Sequence, residues 1–372
     1  MHESDTVYDV IIVGGGLAGL SLAILLRKQE LSVLVLEKKQ YPAHKVCGEY
    51  ISNESKAFLE RIGIPISEMN LPQINSVVLT HDNRSVRSEM PLGGFGISRF
   101  TLDHFLLQQA ESLGVKVLQG TTCTGYEKVE HHYHVRTLNT HYGAKQLVAG
   151  FGKYSFGEFY KSNKLKQNWI GVKYHFKTTG DPATIALHTF RWGYAGFSKI
   201  EGDQYCFCYL TQSRLLKKYN QSIEKLEQQV LCQNPQIKAI LDSNRHANVK
   251  PLVISNISFH VKKPVHDHVF YIGDSAGTIA PLTGNGMSNA MRSAHLLAPI
   301  LVSLVREECN QLQAEARYRK AWYAHFSTRI TKGRWLQFFF CQPILTPWLL
   351  QLLVIFPKLK SILIKQSHGE PF

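Results

Sequence analysis

A glycine turn between a short strand and a helix constrains this chain more than any other feature. Tyr8 to Val13 is a Val/Ile-rich apolar run, the pattern of a parallel strand buried on both faces. Gly14, Gly15 and Gly16 break it, and Leu17 to Lys28 then shows Leu and Ala at helical spacing. Ser32 to Leu36 forms the next strand and ends in Glu37. In the pattern Gly14-x-Gly16-x-x-Gly19 the first glycine permits a tight turn and the second lets the backbone approach a pyrophosphate. The third lets the helix pack closely on the strand, and the helix start at Leu17 and Ala18 faces the phosphates. Glu37, with Lys38 beside it, lies about 20 residues downstream, where a carboxylate binds ribose hydroxyls and rejects a 2′-phosphate. The dinucleotide that such a unit holds is FAD or NAD rather than NADP.

The rest of the chain extends this start into a larger protein. Its 372 residues allow two joined domains and a large core, and 44% hydrophobic with 19% charged residues is ordinary for a globular protein. Helical spacing appears over Ser52–Ile62, from Thr101 to about Gly114, over Gln221–Cys232, over Asn285–Val305 and over Gln311–Ile330. Ile185–Arg191, Tyr194–Ile200 and Gln204–Leu210 alternate in the β manner, which predicts an antiparallel sheet inserted between halves of the nucleotide-binding domain. The expected division is a dinucleotide-binding domain over 1–74, 97–156 and 260–308, a substrate-binding sheet over 75–96 and 157–259, and a helical, apolar and basic segment over 309–372. Seven scattered cysteines without a CxxC pair argue against a disulfide framework or zinc site, and point to a reducing, cytoplasmic setting. His131-His132-Tyr133-His134 and His266-Asp267-His268 do not gather metal ligands on one face, so no metal is expected.

A second signature chooses between the two dinucleotides. Tyr271-Ile272-Gly273-Asp274-Ser275-Ala276-Gly277 leads into Pro281-Leu282-Thr283-Gly284-Asn285-Gly286-Met287 and then a helix. This pattern resembles the GD motif of the group A flavoprotein monooxygenases (p-hydroxybenzoate-hydroxylase-like) and their relatives, the geranylgeranyl reductases. The resemblance implies FAD, with Gly273 and Asp274 at the ribityl chain and Pro281 and Gly284 to Met287 beside the flavin ring. A helix N-terminus there offers free N–H groups and positive potential to an anionic reduced ring. The implied fold is α/β, a Rossmann-like FAD-binding domain with an inserted antiparallel sheet and C-terminal helices.

Further residues carry the resemblance in detail. Lys45-Val46-Cys47-Gly48-Glu49 is similar to the reductase branch, which implies Lys45, Cys47 and Gly48 near the flavin and Cys47 in the reaction. A small buried residue filling space is the other reading of Cys47, and a neighbouring Lys45 would lower its pKa. Gly96-Ile97-Ser98-Arg99-Phe100-x-x-Asp103 implies Arg99 at the flavin's phosphate or ribityl region. Gly193-Tyr194-Ala195-Gly196-Phe197-Ser198 partly resembles the reductases' strand over the substrate cavity, which implies Tyr194 and Phe197 as substrate contacts. Gly196 and Ser198 break that pattern and count against a prenyl substrate. At Ala149-Gly150-Phe151-Gly152-Lys153-Tyr154-Ser155 relatives usually carry an aspartate where Phe151 stands. The backbone role of Gly152 survives that change, while the carboxylate linked to NAD(P)H does not, and NAD(P)H as electron donor stays an open expectation.

The net charge of +14 asks for an anionic partner. No helix-turn-helix, zinc finger or RNP motif is visible, so nucleic acid is not expected. Arg317, Arg319, Lys320, Arg329, Lys332, Arg334, Lys358, Lys360 and Lys365 flank two apolar runs, Trp335–Phe340 and Ile344–Phe356. Pro343 and Pro347 interrupt these runs, which argues against a spanning helix. The tail either closes the flavin domain or lies peripherally at a membrane interface.

The first functional reading is an FAD-dependent monooxygenase acting on a hydrophobic aromatic or alkyl-chain metabolite. The alternative is a geranylgeranyl-reductase-like enzyme reducing C=C bonds of a lipid or isoprenoid, with Cys47 as proton donor. A non-catalytic lipid-binding protein on the same fold is the third, and the intact Gly14–Gly19, Glu37 and Asp274 set speaks against it.

Overall fold

The buried Val/Ile run at the start becomes the centre of a parallel sheet. In a computed structural model, which describes residues 6–153, 169–244, 249–257, 259, 262–278, 280, 282, 284–342, 344–356, 360 and 369–372, β1 (Val7–Val13) pairs in parallel with β2 (Val33–Glu37) on one side. On its other side lies β9 (His141–Ala149), also parallel. The sheet continues past β2 to β6 (Lys116–Gln119), and past β9 to β16 (Val269–Tyr271) and β15 (Val265–His266). An antiparallel ribbon of β7 (Cys123–Val129) and β8 (His132–Thr137) leaves from β9. The strand order reverses at β1, and the crevice beyond the carboxyl ends of β1, β2 and β9 is where such sheets bind ligands.

Helices α1 (Leu17–Arg27), α3 (Arg99–Ser112) and α7 (Gly286–Val305) pack together at this sheet, with the short α2 (Lys56–Arg61) nearby. Ser98 caps α3 by accepting the Thr101 N–H at 3.1 Å. The helix read over Ser52–Ile62 forms only in its second half. Tyr50–Ser52 is instead strand β3, and Ser52 caps a single 3₁₀ turn before α2 begins. Pairing of β3 with β5 (Arg84–Gly96) outweighs the local helical spacing.

The second sheet runs in the order β14 (Leu252–Ile257), β10 (Trp169–Lys177), β13 (Gln204–Gln212), β12 (Gly193–Lys199), β11 (Thr184–Phe190), β4 (Gln73–His81), β5 (Arg84–Gly96), β3. It is mixed rather than purely antiparallel, because β11 runs parallel to β4. That join links two segments more than a hundred residues apart, and strand periodicity carries no information on direction. One face carries Val172, Tyr174, Phe176, Ala195 and Phe207 in a core with Leu226, Leu231 and Ile237. Those residues come from α5 (Ile223–Gln229), α6 (Pro235–Asn244) and the turn between them, beside α4 (Ser213–Lys218). The opposite face looks towards the crevice of the first sheet.

Helix α8 (Gln311–Phe340) starts from an Asn310 capping box and runs ten residues beyond the expected end at Ile330. It then turns into α9 (Leu345–Ile355), which packs on β4 and β5. Among the described residues no single helix is long and apolar enough to cross a membrane; α8 and α9 pass that test together but are bent by 108°.

Candidate functional site

One cavity of about 920 Å³ joins the two sheets. Gly14, Gly16, Leu17, Ala18, Glu37, Lys38, Lys45, Cys47, Gly48, Arg99, Gly152, Gly273, Asp274, Gly284, Gly286 and Met287 line its one end, and Tyr194 its other. The first group is contributed by segments far apart in the chain, gathered at the strand switch point. Phe151, at the position of the usual aspartate, also lines the cavity and meets the Tyr271 ring edge-on at 6.3 Å.

The glycine turn is built as its sequence requires. Gly14 has φ +109°, and a side chain there would lie 2.5 Å from the Gly150 carbonyl oxygen. Gly19 does not line the cavity; a Cβ on it would strike the Gly14 carbonyl, so its role is to seat α1 against β1. Gly16 is the N-cap of α1, whose first turn holds no acid, and Arg99 Nη2 stands 3.9 Å from where a Gly16 Cβ would be. Free N–H groups and a guanidinium therefore meet at one spot, a setting for an anion. The Glu37 carboxylate accepts the backbone N–H of Gly15 at 2.8 Å and of Lys39 at 2.9 Å, which fixes it at the end of β2. Tyr41, absent from the sequence-level set, donates its hydroxyl to the Gly15 carbonyl.

Arg99 is not a solvated arginine. It forks onto Asp103, with Nε to Oδ1 at 2.7 Å and Nη2 to Oδ2 at 2.8 Å, and Lys45 reaches the same Oδ2 at 2.8 Å. Burial raises the Asp103 carboxyl, but the Arg99 and Lys45 charges outweigh it and hold the group below its usual range. Two cations against one carboxylate leave one net positive charge beside the glycine turn. Lys45 is thus paired with Asp103.

At the second flavin signature, Gly273 is left-handed (φ +57°) and Asp274 faces the cavity. Asn285 forms the N-cap of α7 without a side-chain capping bond; it is buried, and both its amide atoms lack partners. A buried amide with an unused donor and acceptor, at an acid-free helix start, fits the edge of a ring that offers alternating carbonyl and N–H groups. Pro281 lies outside the described residues. The left-handed glycine turn, the anion setting at Gly16 and this orphaned amide together fit FAD, which Gly14–Ala18, Arg99 and Lys45 would hold at the pyrophosphate, Glu37 at a ribose, Asp274 at the ribityl chain and Gly284–Met287 at the ring.

The loop carrying Cys47 is pinned from behind by a charge cluster that sequence reading missed. Glu49 has φ +56° and is fully buried. Its carboxylate lies 2.5 Å from Lys173 Nζ and 2.5 Å from His175 Nε2, and it accepts the Arg99 backbone N–H at 2.8 Å. Lys173 also donates to the Lys45 carbonyl at 3.0 Å, and Cys206 Sγ to the Cys47 carbonyl at 3.3 Å. Burial pushes the Glu49 carboxyl up, and the bond from His175 and the charge of Lys173 reverse this to a net fall. Burial pushes Lys173 down, and Glu49 reverses that to a net rise. Glu49, His175 and Cys206 bring ligand atoms within 4.8 Å of one another. The Lys173 ammonium already holds the carboxylate a cation would need, so the cluster reads as a salt-bridged anchor for residues 45–49. Strand alternation on β10 was the available signal, since Lys173 and His175 share one face.

Tyr194 and Phe197 part company. They are three residues apart in β12, an odd spacing that puts them on opposite faces. Tyr194 faces the cavity, whereas Phe197 stacks on Tyr205 at 5.0 Å within the helix-covered core, so its expected substrate contact is withdrawn. Beyond Tyr194 the lining turns aliphatic, with Ile185, Leu187, Leu210, Ile254 and Ile257. Cys208 lines this part as well, its thiol pushed up to about 12 by burial.

Known proteins share this fold. Residues 7–151 match the family model described as FAD binding domain. The chain is 23% identical to conditioned medium factor receptor 1 of Dictyostelium discoideum over 91% of this chain and 71% of that protein. It is 24% identical to a digeranylgeranylglycerophospholipid reductase of Methanococcus vannielii, over 87% and 84%. Its fold matches PqsL of Pseudomonas aeruginosa, described as a probable FAD-dependent monooxygenase, with a TM-score of 0.74 at 18% identity over 92% and 99% of the two chains. It also matches the flavin-dependent brominase Bmp2, with a TM-score of 0.75 at 19% identity over 97% and 93%. With its glycine turn, its ribose acid and its second signature gathered on one crevice, the chain carries an FAD binding domain over residues 7–151, is similar to group A flavoprotein monooxygenases and geranylgeranyl reductases, and is an FAD-dependent oxidoreductase.

Proposed function

We propose that this flavoenzyme is a monooxygenase that hydroxylates a hydrophobic metabolite with an aromatic or polar head and an alkyl portion. The observation that carries the reading is the cavity itself, whose lining joins the glycine cradle to Tyr194 and to the aliphatic side chains Ile185, Leu187, Leu210 and Ile257. Bound FAD supplies the redox chemistry, including the reaction of the reduced ring with O₂. The protein binds, orients and excludes water. Tyr194 is buried, and its hydroxyl has no partner. Burial holds its phenol far above the usual range, so it stays a neutral donor suited to a substrate hydroxyl or carbonyl. The aliphatic walls seat the alkyl part and keep the reacting centre dry. NAD(P)H is the proposed electron donor; with Phe151 in place of the usual aspartate, its approach relies on backbone rather than carboxylate contacts.

A second reading rests on Cys47, which lines the same cavity. As a reductase of C=C bonds, the enzyme would use this thiol to protonate the carbon opposite the hydride. Turnover under ¹⁸O₂ separates the two. Product carrying one labelled oxygen is expected, and anaerobic turnover to a saturated product would overturn hydroxylation.

A further inference from the structure

The helical pair α8–α9 presents an apolar surface that the flavin chemistry does not use. Half of the exposed large hydrophobic side chains among the described residues, nine of eighteen, lie between Trp335 and Phe356. Trp335 is 62% exposed, Ile344 77% and Trp348 70%. Helix α9 buries Thr346, Leu350 and Leu353 on one stripe, and its opposite stripe, Trp348, Leu352 and Ile355, is exposed and equally apolar. A helix apolar on both faces needs a second apolar medium on its outer side.

Charge identifies that medium. Between residues 316 and 369 the sequence has nine Lys and Arg and no Asp or Glu. Lys332 and Arg334 are exposed one turn or less before Trp335. Cations flanking exposed tryptophans on a short apolar helix are the makings of contact with an anionic bilayer surface. The bend of 108° between α8 and α9 suits lying in the interface rather than crossing it.

We infer that the α8–α9 elbow docks this enzyme on an anionic lipid surface, with Trp335 and Trp348 inserted and Lys332 and Arg334 at the headgroups. The inner stripe of α9 shares one core with Tyr194, Leu210 and Ile254 of the cavity wall. Strand β14 reaches the surface at Leu252 and Val253, which also line the cavity. Resting on the function proposed above, docking would bring the aliphatic end of the cavity beside the bilayer and favour a substrate dissolved in it.

The test is flotation of the full-length, FAD-loaded protein with vesicles of phosphatidylcholine and phosphatidylglycerol in equal parts, against phosphatidylcholine alone. Binding to the anionic vesicles that weakens with salt is expected. Trp335→Ser/Trp348→Ser should lower partitioning at least about tenfold, because transfer follows buried apolar area. Lys332→Glu/Arg334→Glu should lower it roughly tenfold on anionic vesicles only. All these positions are exposed, and unchanged FAD absorbance and melting temperature show that the variants are folded. No flotation, or equal flotation of the tryptophan variant, overturns the docking. A lipid-free dimer in sedimentation velocity that the tryptophan variant dissociates would assign the patch to a second copy and also overturn it. Because FAD content is read in the same fractions, failure to float and failure to hold flavin are told apart.

Discussion

Replacing Lys173 by Met isolates what the charge cluster behind Cys47 does. The change keeps most of the side-chain volume and removes one cation from a carboxylate that is fully out of water. Glu49 would keep His175 and the Arg99 N–H but lose its lysine at 2.5 Å. Removing one partner of such a buried pair costs about 3–5 kcal/mol, most of it the penalty of the charge left behind. Glu49→Gln, which strands the ammonium instead, should cost a similar amount. The double variant Lys173→Met/Glu49→Gln should recover at least about 2 kcal/mol relative to the sum of the singles, since neither charge is then orphaned. Urea unfolding of the four proteins at pH 7 measures this directly. The pH dependence has a definite sign. Glu49's folded pKa is lowered, so its contribution is present above the unfolded carboxylate pKa and is lost as pH falls through the lower folded value. Lys173's folded pKa is raised, so its contribution is present below the unfolded lysine pKa and is lost as pH rises through the higher folded value. Wild-type stability from this pair is therefore flat through neutrality. FAD retention should fall with Lys173→Met as well, because Lys173 also holds the Lys45 carbonyl of the cavity loop. A loss under about 1 kcal/mol, or strict additivity in the double variant, would refute the anchor.

Three further outcomes follow from the geometry. Asp274→Ala should give protein that elutes colourless from gel filtration, and retained flavin absorbance would remove Asp274 from the cofactor site. Tyr194→Phe should leave FAD content unchanged and lower kcat/KM by about five- to tenfold, the worth of one neutral hydrogen bond; unchanged kinetics would show that the phenol meets no substrate. His188 is buried, bonds Thr80 at 2.7 Å through Nδ1, leaves Nε2 unpartnered, and has its pKa pushed down to about 4 by burial. The unfolded chain takes up a proton near pH 6.5 and the folded one does not, so this group should remove about 3 kcal/mol of stability between pH 7 and 4. His188→Gln should flatten that slope in urea titrations, and an unchanged slope would place the acid sensitivity elsewhere.

The legible parts of this protein were those in which a few neighbouring residues dictate local geometry. Gly14, Gly16 and Gly19 specify their turn because φ at Gly14 and the close approach of α1 admit no side chain, whatever surrounds them. Glu37 follows at a distance set by one helix and one strand, and Gly273-Asp274 repeats the same kind of local logic. Alternation along β12 carried the same kind of signal, since the odd spacing of Tyr194 and Phe197 sets them on opposite faces and counts against the substrate contact expected of both. The extension of α8 to Phe340 was hidden because its outer surface is apolar, and periodicity cannot separate a continuing helix from an apolar run without knowing what covers it. Direction and partnership needed the fold. That β11 runs parallel to β4 depends on which edges meet, and no strand records this in its own pattern. Glu49 meets Lys173 across 124 residues and His175 across 126, and Lys45 meets Asp103 from a distant segment in the same way. Sequence determined how the backbone receives a dinucleotide, since turn sterics act over a few bonds. Tertiary structure decided which charges neutralise one another behind it, because burial and Coulomb energy depend on distances that only the packed chain defines.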